Sequence, residues 1–294
     1  MKIYKTFLRT FYEIKRLVTG RPFIAEFDIT DNCNLRCIHC YHFAETSDKP
    51  ASEIPFEIWK ERFESLYADG IRMVMLMGGE PMLRKDVVML ASEMFPFVEM
   101  ITNGTIALPE NYDHRIFVSI DGTKKTNDRI RGAGVFDKVV KNVSGDKRVV
   151  FNMTLMDSNY TELEYVVDLA QKIGVSGVVC NLFTTVGKNQ EPLNMEIRKK
   201  ITTELRRIKK LKPGILLFTI PAIEWFEKGD HTDTCHWREN VIHYTTGWRK
   251  RPCFASADCS NCGCFSGAMG SPFSSVRQFF SIIRLIFETS TKRG

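Results

Sequence analysis

Strand-like apolar segments alternate with helical segments from about residue 23 to residue 210, and this alternation constrains the fold more than any other feature. Strands that alternate with helices form parallel sheets, because each helix carries the chain back to the start of the next strand. Six such units predict an α/β fold, a partial (β/α)6 TIM-like barrel with function at the C-terminal ends of its strands. The predicted strands are 23–30, 71–77, 97–102, 115–120, 148–156 and 175–183, and the predicted helices are 55–67, 85–94, 134–143, 160–173 and 194–210.

The alternation ends near Pro213, and the sequence beyond it is irregular apart from one apolar segment, 214–220, that is a candidate for a further strand. We therefore divide the chain into four segments. They are an N-terminal amphipathic helix (1–22), the barrel (23–212), a small irregular cysteine-rich C-terminal extension (213–270) and a C-terminal amphipathic helix (271–294).

Composition and cysteine usage predict a soluble protein of the cytoplasm. Hydrophobic residues make up 44% and charged residues 26% of the chain, which is usual for a globular protein. No apolar run reaches the roughly 20 residues that span a bilayer, and the N-terminal stretch lacks the apolar core of a signal peptide. Seven of the nine cysteines fall in two tight clusters, which indicates metal ligation in a reducing compartment rather than disulfides.

The first cluster follows the first strand and has the spacing C-x3-C-x2-C, formed by Cys33, Cys37 and Cys40. Three thiolates leave one iron of a four-iron cluster without a protein ligand, and such an open position is typical of a catalytic metal site. The alternative is half of a zinc site, with His39 or His42 as the fourth ligand. Zinc sites more often pair C-x2-C with a distant second pair, so the spacing favours iron and sulfur.

A glycine-rich turn, Gly78-Gly79-Glu80-Pro81, ends the second strand. Taken alone, it could be an ordinary tight turn with an exposed glutamate. At a strand end beside the cysteine loop, however, the glycines would let the backbone approach a ligand closely. Glu80 would offer a carboxylate to an ammonium group.

The combination of "CNLRCIHC" after strand one with "MGGEP" after strand two resembles the radical S-adenosylmethionine (radical SAM) superfamily, over about residues 23–210. In that family three cysteines hold a [4Fe-4S] cluster, and the amino and carboxylate groups of SAM bind the fourth iron. The resemblance implies that Cys33, Cys37 and Cys40 are the cluster ligands. The position before the last cysteine is often aromatic in the family, and here it is His39.

The resemblance also assigns residues to SAM. Glu80, with the backbone of Gly78 and Gly79, would hold the amino group, and Tyr41 would lie against adenine. At later strand ends, Ser119 and Asp121 would bind ribose, and Arg131 would pair with the carboxylate in bidentate fashion. Asn103, at the end of strand three, and Asn152, in strand five, fit the same pattern and would also bind SAM. Each of these residues could instead serve as a turn or capping residue, since Asn and Asp favour such positions.

The second cluster, "CFASADCSNCGC", contains Cys253, Cys259, Cys262 and Cys264. Four thiolates close a site, which could be a second [4Fe-4S] cluster or a structural zinc. Radical SAM enzymes with SPASM or twitch extensions carry auxiliary clusters in this part of the chain, although this segment is shorter than a SPASM domain and its spacing differs. The resemblance favours an auxiliary cluster, in which Cys235 could replace one ligand. Cys180, inside strand six, is predicted to be a core residue.

The two terminal helices have apolar and basic faces, which fit either packing against the barrel or contact with a membrane surface. The C-terminal helix, Val276 to Phe287, places basic residues at the border of a very apolar patch. The apolar positions are Ile3, Phe7, Phe11, Ile14 and Val18 in the first helix and Phe279, Phe280, Ile282, Ile283, Leu285, Ile286 and Phe287 in the last, with Arg277 and Arg284 bordering the second set.

By resemblance, the expected chemistry is reductive cleavage of SAM, fed by an external flavodoxin-like or ferredoxin-like electron donor. The resulting 5′-deoxyadenosyl radical would abstract hydrogen from a substrate; no catalytic side chain is assigned. The auxiliary cysteines favour a peptide or protein substrate. The apolar terminal helices favour a lipid or isoprenoid substrate instead, and a non-catalytic metal-binding barrel is the third hypothesis. The net charge of +6 comes without an aromatic-interleaved basic face, which argues against nucleic acid as partner.

Overall fold

Eight strands form one sheet in this computed structural model, which describes residues 2–45, 53–185, 191–251, 253, 259–270 and 275–290. The strand order is β6-β5-β4-β3-β2-β1-β7-β8, with all neighbours parallel except β7 and β8. The six predicted strands and the predicted α/β fold are confirmed. The strands are β1 (Ile24–Thr30), β2 (Met73–Gly78), β3 (Phe97–Thr102), β4 (Arg115–Ser119), β5 (Val149–Leu155), β6 (Val178–Leu182), β7 (Val241–Tyr244) and β8 (Lys250–Arg251).

Helices follow most strands and cover the outer face of the sheet. The α-helices are α1 (Lys2–Thr19), α2 (Tyr41–Glu45), α3 (Phe56–Ala68), α4 (Lys85–Met94), α5 (Lys124–Arg131), α6 (Val135–Val143), α7 (Leu163–Ile173), α8 (Met195–Leu211), α9 (Ile220–Lys228), α10 (His236–Asn240), α11 (Phe265–Met269) and α12 (Val276–Ser290). Alternate residues of each strand point to opposite faces. In β1, Phe27 packs in the helix-covered core, whereas its neighbour Glu26 lines an interior cavity.

The apolar segment 214–220 does not form a strand of the sheet. It makes a single parallel bridge between Val178 and Leu216, and α9 then begins at Ile220. Thr219 starts this helix, because its side chain accepts a hydrogen bond from the backbone N–H of Ala222 and a proline occupies the first turn. The local capping signal therefore overrides the apolar character of the segment.

The extension contributes to the barrel on both of its sides. On one side, β7 pairs with β1, with Glu26 opposite His243. On the other side, the backbone of Gly263 accepts a hydrogen bond from Leu182 N (2.9 Å), next to the end of β6. The boundary drawn at residue 212 stays a prediction, but the extension supplies backbone partners to the first and the sixth strand.

The terminal helices pack on the barrel by one face and expose apolar residues on another. In α1, Arg16 donates to Asn240 (2.6 Å) while Phe11 is about half exposed. In α12, buried Gln278 contacts Thr219, and Phe280 points outward with 63% exposure. The predicted apolar residues Ile3, Phe7 and Phe287 have side chains outside the described part of the structure. Among the described residues, no helix has the length and apolarity needed to cross a bilayer.

Candidate cluster and cofactor site

The loop after β1 brings Cys33, Cys37 and Cys40 to the wall of one pocket as free thiols. Burial raises the pKa of Cys37 to about 11; Arg131 lowers it, and the neighbouring Cys40 and Cys33 raise it further. Burial also raises the pKa of Cys33, where Cys40 again acts in the same direction. The three sulfurs are thus close enough for each thiolate to disfavour ionisation of the others. A cationic metal centre shared by the three thiolates would remove this repulsion.

Hydrogen-bond donors approach two of these sulfurs. Asn103 Nδ2 lies 3.9 Å from Cys33 Sγ, and Leu35 N lies 3.4 Å from the same atom. An Arg131 guanidinium nitrogen lies 3.9 Å from Cys37 Sγ. Donors directed at sulfur stabilise thiolates and tune the metal centre that they hold. Asn103 and Arg131 therefore support the cysteine loop, in addition to any contact with SAM.

Asp121 connects the cysteine loop to the end of β4 and to α5. Its Oδ2 lies 2.7 Å from His39 Nε2 and 2.7 Å from Arg131 Nε, while Oδ1 accepts from Thr154 N (2.9 Å). Burial alone would raise its pKa, but the charges of Arg131 and His39 hold the pKa of this carboxyl well below its ordinary value. Asp121 is fully buried behind the pocket wall, so its predicted contact with ribose stays a prediction.

The zinc alternative names His39 or His42 as the fourth ligand, and both histidines contact a carboxylate. His39 Nε2 contacts Asp121, and His42 Nε2 lies 3.3 Å from Asp31 Oδ1 while the His42 side chain is buried. Because Nε2 of each ring faces a carboxylate, zinc would have to bind either histidine through Nδ1.

Gly78 and Gly79 allow the end of β2 to pass very close to the cysteine loop. Gly78 has φ +112°, and a Cβ there would lie 2.6 Å from Thr30 O, whereas a Cβ at Gly79 would lie 2.1 Å from Asn32 O. Two backbone hydrogen bonds hold this contact, Gly79 N to Thr30 O (2.7 Å) and Glu80 N to Asn32 O (2.8 Å). Only glycine fits here, since any side chain would displace the loop that begins the cysteine cluster.

The Glu80 carboxylate faces the protein interior and joins the ends of β2 and β3. Its Oε1 accepts from Met82 N (2.9 Å) and Thr102 Oγ1 (2.6 Å), and its Oε2 accepts from Asn103 N (2.8 Å). Burial raises the pKa of Glu80, although these hydrogen bonds lower it. The Glu80 side chain is fully buried and does not line the pocket. The contact with the SAM amino group therefore remains a prediction, and the backbone of the glycine turn is better placed for it than the Glu80 carboxylate.

Most residues assigned to the site from sequence share one pocket at the C-terminal ends of the strands. Ser119 and Asn152 are register partners on β4 and β5 and lie side by side in its wall. The predicted site residues in the wall are Cys33, Cys37, Cys40, Tyr41, Gly78, Gly79, Asn103, Ser119, Arg131 and Asn152. Glu80 and Asp121 stand behind it.

Several polar residues of the wall were not predicted, and those on strands include Glu26, Glu99, Thr154 and Asn181. A polar residue in a largely apolar strand interrupts the pattern, and that interruption is a signal that could have found these four. Asn181 Nδ2 donates to Asn152 Oδ1 (2.9 Å), and Asn181 Oδ1 accepts from Phe265 N (2.8 Å). This chain of contacts links the barrel wall to α11 of the extension.

Cys235 lies near the second cluster, where it was predicted as a possible substitute for one of the four ligands. Burial raises the pKa of Cys262 to about 11, and the neighbouring Cys235 and Cys259 raise it further. Burial also raises the pKa of Cys264, where Cys253 and Cys262 act in the same direction. Cys264 also lines the pocket that contains the first cluster. Within the described ranges, no three His, Cys, Asp or Glu side chains are arranged to hold a single metal ion, whereas a four-iron cluster is wider than one ion. Cys180 is fully buried in β6, which confirms its prediction as a core residue.

The sequence matches the family model of the radical SAM superfamily over residues 27–170, a span that includes the cysteine loop, the glycine turn and the strand ends of the pocket. The chain belongs to the radical SAM superfamily. Membership in this superfamily implies a [4Fe-4S] cluster and SAM as cofactors, and the three free thiols with donors directed at their sulfurs fit the cluster.

Two curated relatives of this radical SAM chain illustrate its range. The AdoMet-dependent heme synthase of Methanosarcina barkeri (strain Fusaro / DSM 804) is 29% identical over 190 residues, 59% of this chain and 54% of the relative. The sporulation killing factor maturation protein SkfB of Bacillus subtilis (strain 168) is 27% identical over 244 residues, 76% of this chain and 55% of the relative. The chain thus spans about half the length of the curated relatives that it matches.

The fold of this radical SAM chain is also similar to that of Streptococcus suis SuiB. The structure of SuiB bound to S-adenosylmethionine has a TM-score of 0.64 at 14% identity, covering 86% of this chain and 66% of SuiB. The structure of SuiB bound to precursor peptide SuiA gives a TM-score of 0.63 at 14% identity, covering 85% of this chain and 64% of SuiB. The similarity of fold extends beyond the barrel, in keeping with a SPASM-like extension.

Proposed function

We propose that this protein is a radical SAM enzyme that cleaves SAM reductively and modifies a peptide or protein substrate. One observation carries the proposal: the cysteine loop, the glycine turn and the polar ends of β3 to β5 line a single pocket. The [4Fe-4S] cluster bound to Cys33, Cys37 and Cys40 would supply the electron that splits SAM into methionine and a 5′-deoxyadenosyl radical. The protein's own task is to hold SAM and substrate and to keep water away from them.

The pocket wall offers separate partners for each part of SAM. The backbone of Gly78 and Gly79 would bind the amino group at the open corner beside the cysteine loop. Ser119 and Asn152, adjacent on β4 and β5, would bind ribose hydroxyls, and Tyr41 would lie against adenine. Arg131 would contribute positive charge for the carboxylate, with Asp121 fixing its orientation through the 2.7 Å ion pair.

A peptide substrate is supported by the extension's place in the same pocket. Gly263, Cys264, Phe265 and Ser266 form part of the wall, so a substrate that reaches the SAM site also meets the extension. Gly263 N donates to Thr184 Oγ1 (2.9 Å), which fixes this part of the wall beside the end of β6. The names of SkfB, a maturation protein, and of the SuiB complex with a precursor peptide point to the same substrate class.

We further propose that the second cysteine cluster holds an auxiliary [4Fe-4S] cluster and that the enzyme receives electrons from an external flavodoxin-like or ferredoxin-like donor. The position of Cys264 in the shared pocket supports a role of this second centre close to the substrate. Cys235 competes with the four predicted cysteines as a ligand, because it interacts electrostatically with Cys262.

Cofactor cleavage is tested with anaerobically reconstituted protein, dithionite and SAM. Wild type should form 5′-deoxyadenosine and methionine, and a Cys33/Cys37/Cys40→Ala variant should form neither while losing about four irons and retaining about four. Cys180→Ala is the matched control, since this cysteine is buried in β6 and should leave both iron content and product unchanged. Wild-type protein with a full iron complement but no 5′-deoxyadenosine would favour the non-catalytic metal-binding hypothesis.

Substrate class is tested by isotope transfer. Two perdeuterated pools, one of peptides and one of lipids, are incubated separately with enzyme, SAM and reductant. A peptide-modifying enzyme should transfer deuterium to 5′-deoxyadenosine from the peptide pool only. Transfer from the lipid pool alone would overturn the peptide proposal.

A lipid or isoprenoid substrate at the membrane is the second candidate. It is supported by the exposed apolar residues Phe11, Val18, Val276 and Phe280 on the outer faces of α1 and α12. Such faces bind the bilayer interface when basic residues accompany them. This candidate predicts flotation with anionic vesicles that is lost when residues 276–294 are removed, and unchanged flotation after that deletion would argue against it.

A further inference from the structure

Arg198 of α8 is a fully buried cation behind the second cysteine cluster. One guanidinium nitrogen donates to Phe226 O (2.7 Å) and Cys262 O (3.0 Å). The other donates to Asn261 O (3.0 Å) and to the Asn261 side-chain oxygen. The side chain therefore fastens the segment 261–262, which carries a cysteine, to α8 and to the end of α9.

The contacts of Arg198 provide hydrogen-bond acceptors for its two terminal guanidinium nitrogens but no counter-charge. All of the oxygens named above are neutral, and no carboxylate of the described residues forms an ion pair with this guanidinium. Its Nε has no hydrogen-bond partner among the described residues and faces Gly229, where a Cβ would lie only 3.2 Å away.

By elementary electrostatics, the arrangement around Arg198 lacks a negative charge. Arginine cannot release its proton in a protein, and a buried charge without a counter-charge is strongly unfavourable. A neutral thiol at Cys262 does not supply the missing charge. Four thiolates around a [4Fe-4S] cluster or around zinc would, because each such centre carries a net negative charge.

We infer that Arg198 is the counter-cation and positioning residue of an anionic metal–thiolate centre on the Cys259–Cys264 loop. This inference rests on the proposed function, since it takes the second cysteine cluster as a metal centre. Arg198 does not line the SAM pocket and is shielded from solvent, which rules out a direct role in binding SAM or substrate. Its fixed charge would favour the more reduced, more negative state of a redox centre.

The inference is tested in the Cys33/Cys37/Cys40→Ala background, where the second centre is the remaining one. Four proteins are reconstituted anaerobically: this background alone, and with Arg198→Met, Arg198→Lys or Arg207→Met. Arg207 is the matched control because it lies on the same helix, is half exposed and pairs with Glu164 and Glu204. Metal and sulfide content, the midpoint potential by EPR, and the melting temperatures of the apo and loaded forms are measured.

We expect Arg198→Met to lose most of the bound metal, or to retain it with a more negative midpoint potential, whereas Arg198→Lys and Arg207→Met stay near the background. Loss of hydrogen bonds to the loop destabilises apo and loaded protein alike. The difference between the melting temperatures of the loaded and the apo form therefore reports the effect of the Arg198 charge on the metal centre. This difference should shrink only in Arg198→Met. Full-chain Arg198→Met must still load the first cluster and form 5′-deoxyadenosine, which shows that the barrel has folded.

The role of Arg198 would be overturned, and the second cluster left intact, if Arg198→Met equalled the background in three measurements. These are the metal content, the midpoint potential and the difference between the melting temperatures of the loaded and apo forms. Zinc in place of iron, lost in Arg198→Met, would support Arg198 and overturn the auxiliary iron–sulfur cluster. No metal in the background protein would overturn both, whereas wild-type formation of 5′-deoxyadenosine tests the SAM chemistry independently.

Discussion

The Oδ2 atom of Asp121 lies 2.7 Å from Nε2 of His39, and this contact binds the end of β4 to the loop between Cys37 and Cys40. The same oxygen pairs with Arg131, whose other end approaches Cys37. One buried carboxylate thus sets the position of the cysteine loop relative to the strand ends. Such supporting contacts can be changed without removing a ligand of the cluster.

Asp121→Asn should destabilise the protein and impair cluster binding. The variant keeps the shape of the side chain but leaves the buried Arg131 without its counter-charge, and breaking a buried ion pair from one side costs about 3–5 kcal/mol. Chemical denaturation and iron content measure the effect. The control is Asp137→Asn, because the Asp137 side chain is 66% exposed and its ion pair with Lys124 at the surface should contribute little to stability. Equal stabilities of the two variants would contradict the role given to Asp121.

Gly79→Ala should disrupt the cysteine loop. The added methyl group would meet Asn32 O at 2.1 Å, and relief of the overlap must separate the end of β2 from the start of the loop. Forced overpacking costs typically about 1–3 kcal/mol, and we expect the iron of the first cluster to be lost as well. Gly247→Ala serves as the control, because its nearest neighbour would be 3.9 Å away. Full iron binding by Gly79→Ala would show that the loop tolerates the displacement.

Glu80→Gln should weaken the junction between β2 and β3 rather than only the affinity for SAM. The carboxylate accepts three hydrogen bonds, and an amide must turn an NH2 group toward at least one of those donors. An unsatisfied buried donor costs about 1–3 kcal/mol, measurable by denaturation of the apo protein without SAM. Glu93→Gln, on the exposed side of α4, is the matched control. A pure SAM-binding residue would instead leave apo stability unchanged.

His243 should make stability depend on pH. Burial alone would lower its pKa, but the hydrogen bonds to Asp28 and Glu26 raise the pKa above its ordinary value. A group with a raised folded-state pKa stabilises the protein below its unfolded pKa of about 6.5 and loses that contribution as pH rises through the folded value. The difference in unfolding free energy between wild type and His243→Gln should therefore be largest below the unfolded pKa of about 6.5 and shrink as the pH rises through the higher folded-state pKa of His243.

The sequence predicted the barrel and most of its pocket because both follow local patterns. Cysteine spacing, glycine turns and polar residues at strand ends are all visible within a few neighbouring residues. The orientation of Glu80 could not be read this way, since its partners Thr102 and Asn103 belong to the next strand. Arg198 is one of several basic residues in the sequence of α8, and only the tertiary fold shows that it is buried.

Strand β7 was missed for a related reason. It has only four residues, within a stretch where no helix–strand alternation is left to mark it. Its assignment depends on a partner, β1, that lies far away in sequence. Helix α5 was missed because its sequence, KKTNDRIR, has too few apolar residues to show a helical period.

The pairing of β1 with β7 also sets the order of events during synthesis. Glu26 and His243 are 217 residues apart in the chain. At translation rates of about 5–20 residues per second, β1 leaves the ribosome roughly ten to forty seconds before its neighbour on that side exists. During this interval the edge of β1 that later pairs with β7 is unpaired, and it carries Glu26, whose carboxylate is buried in the folded protein. Ribosome-associated chaperones would therefore have their longest opportunity to bind at this first strand of the barrel.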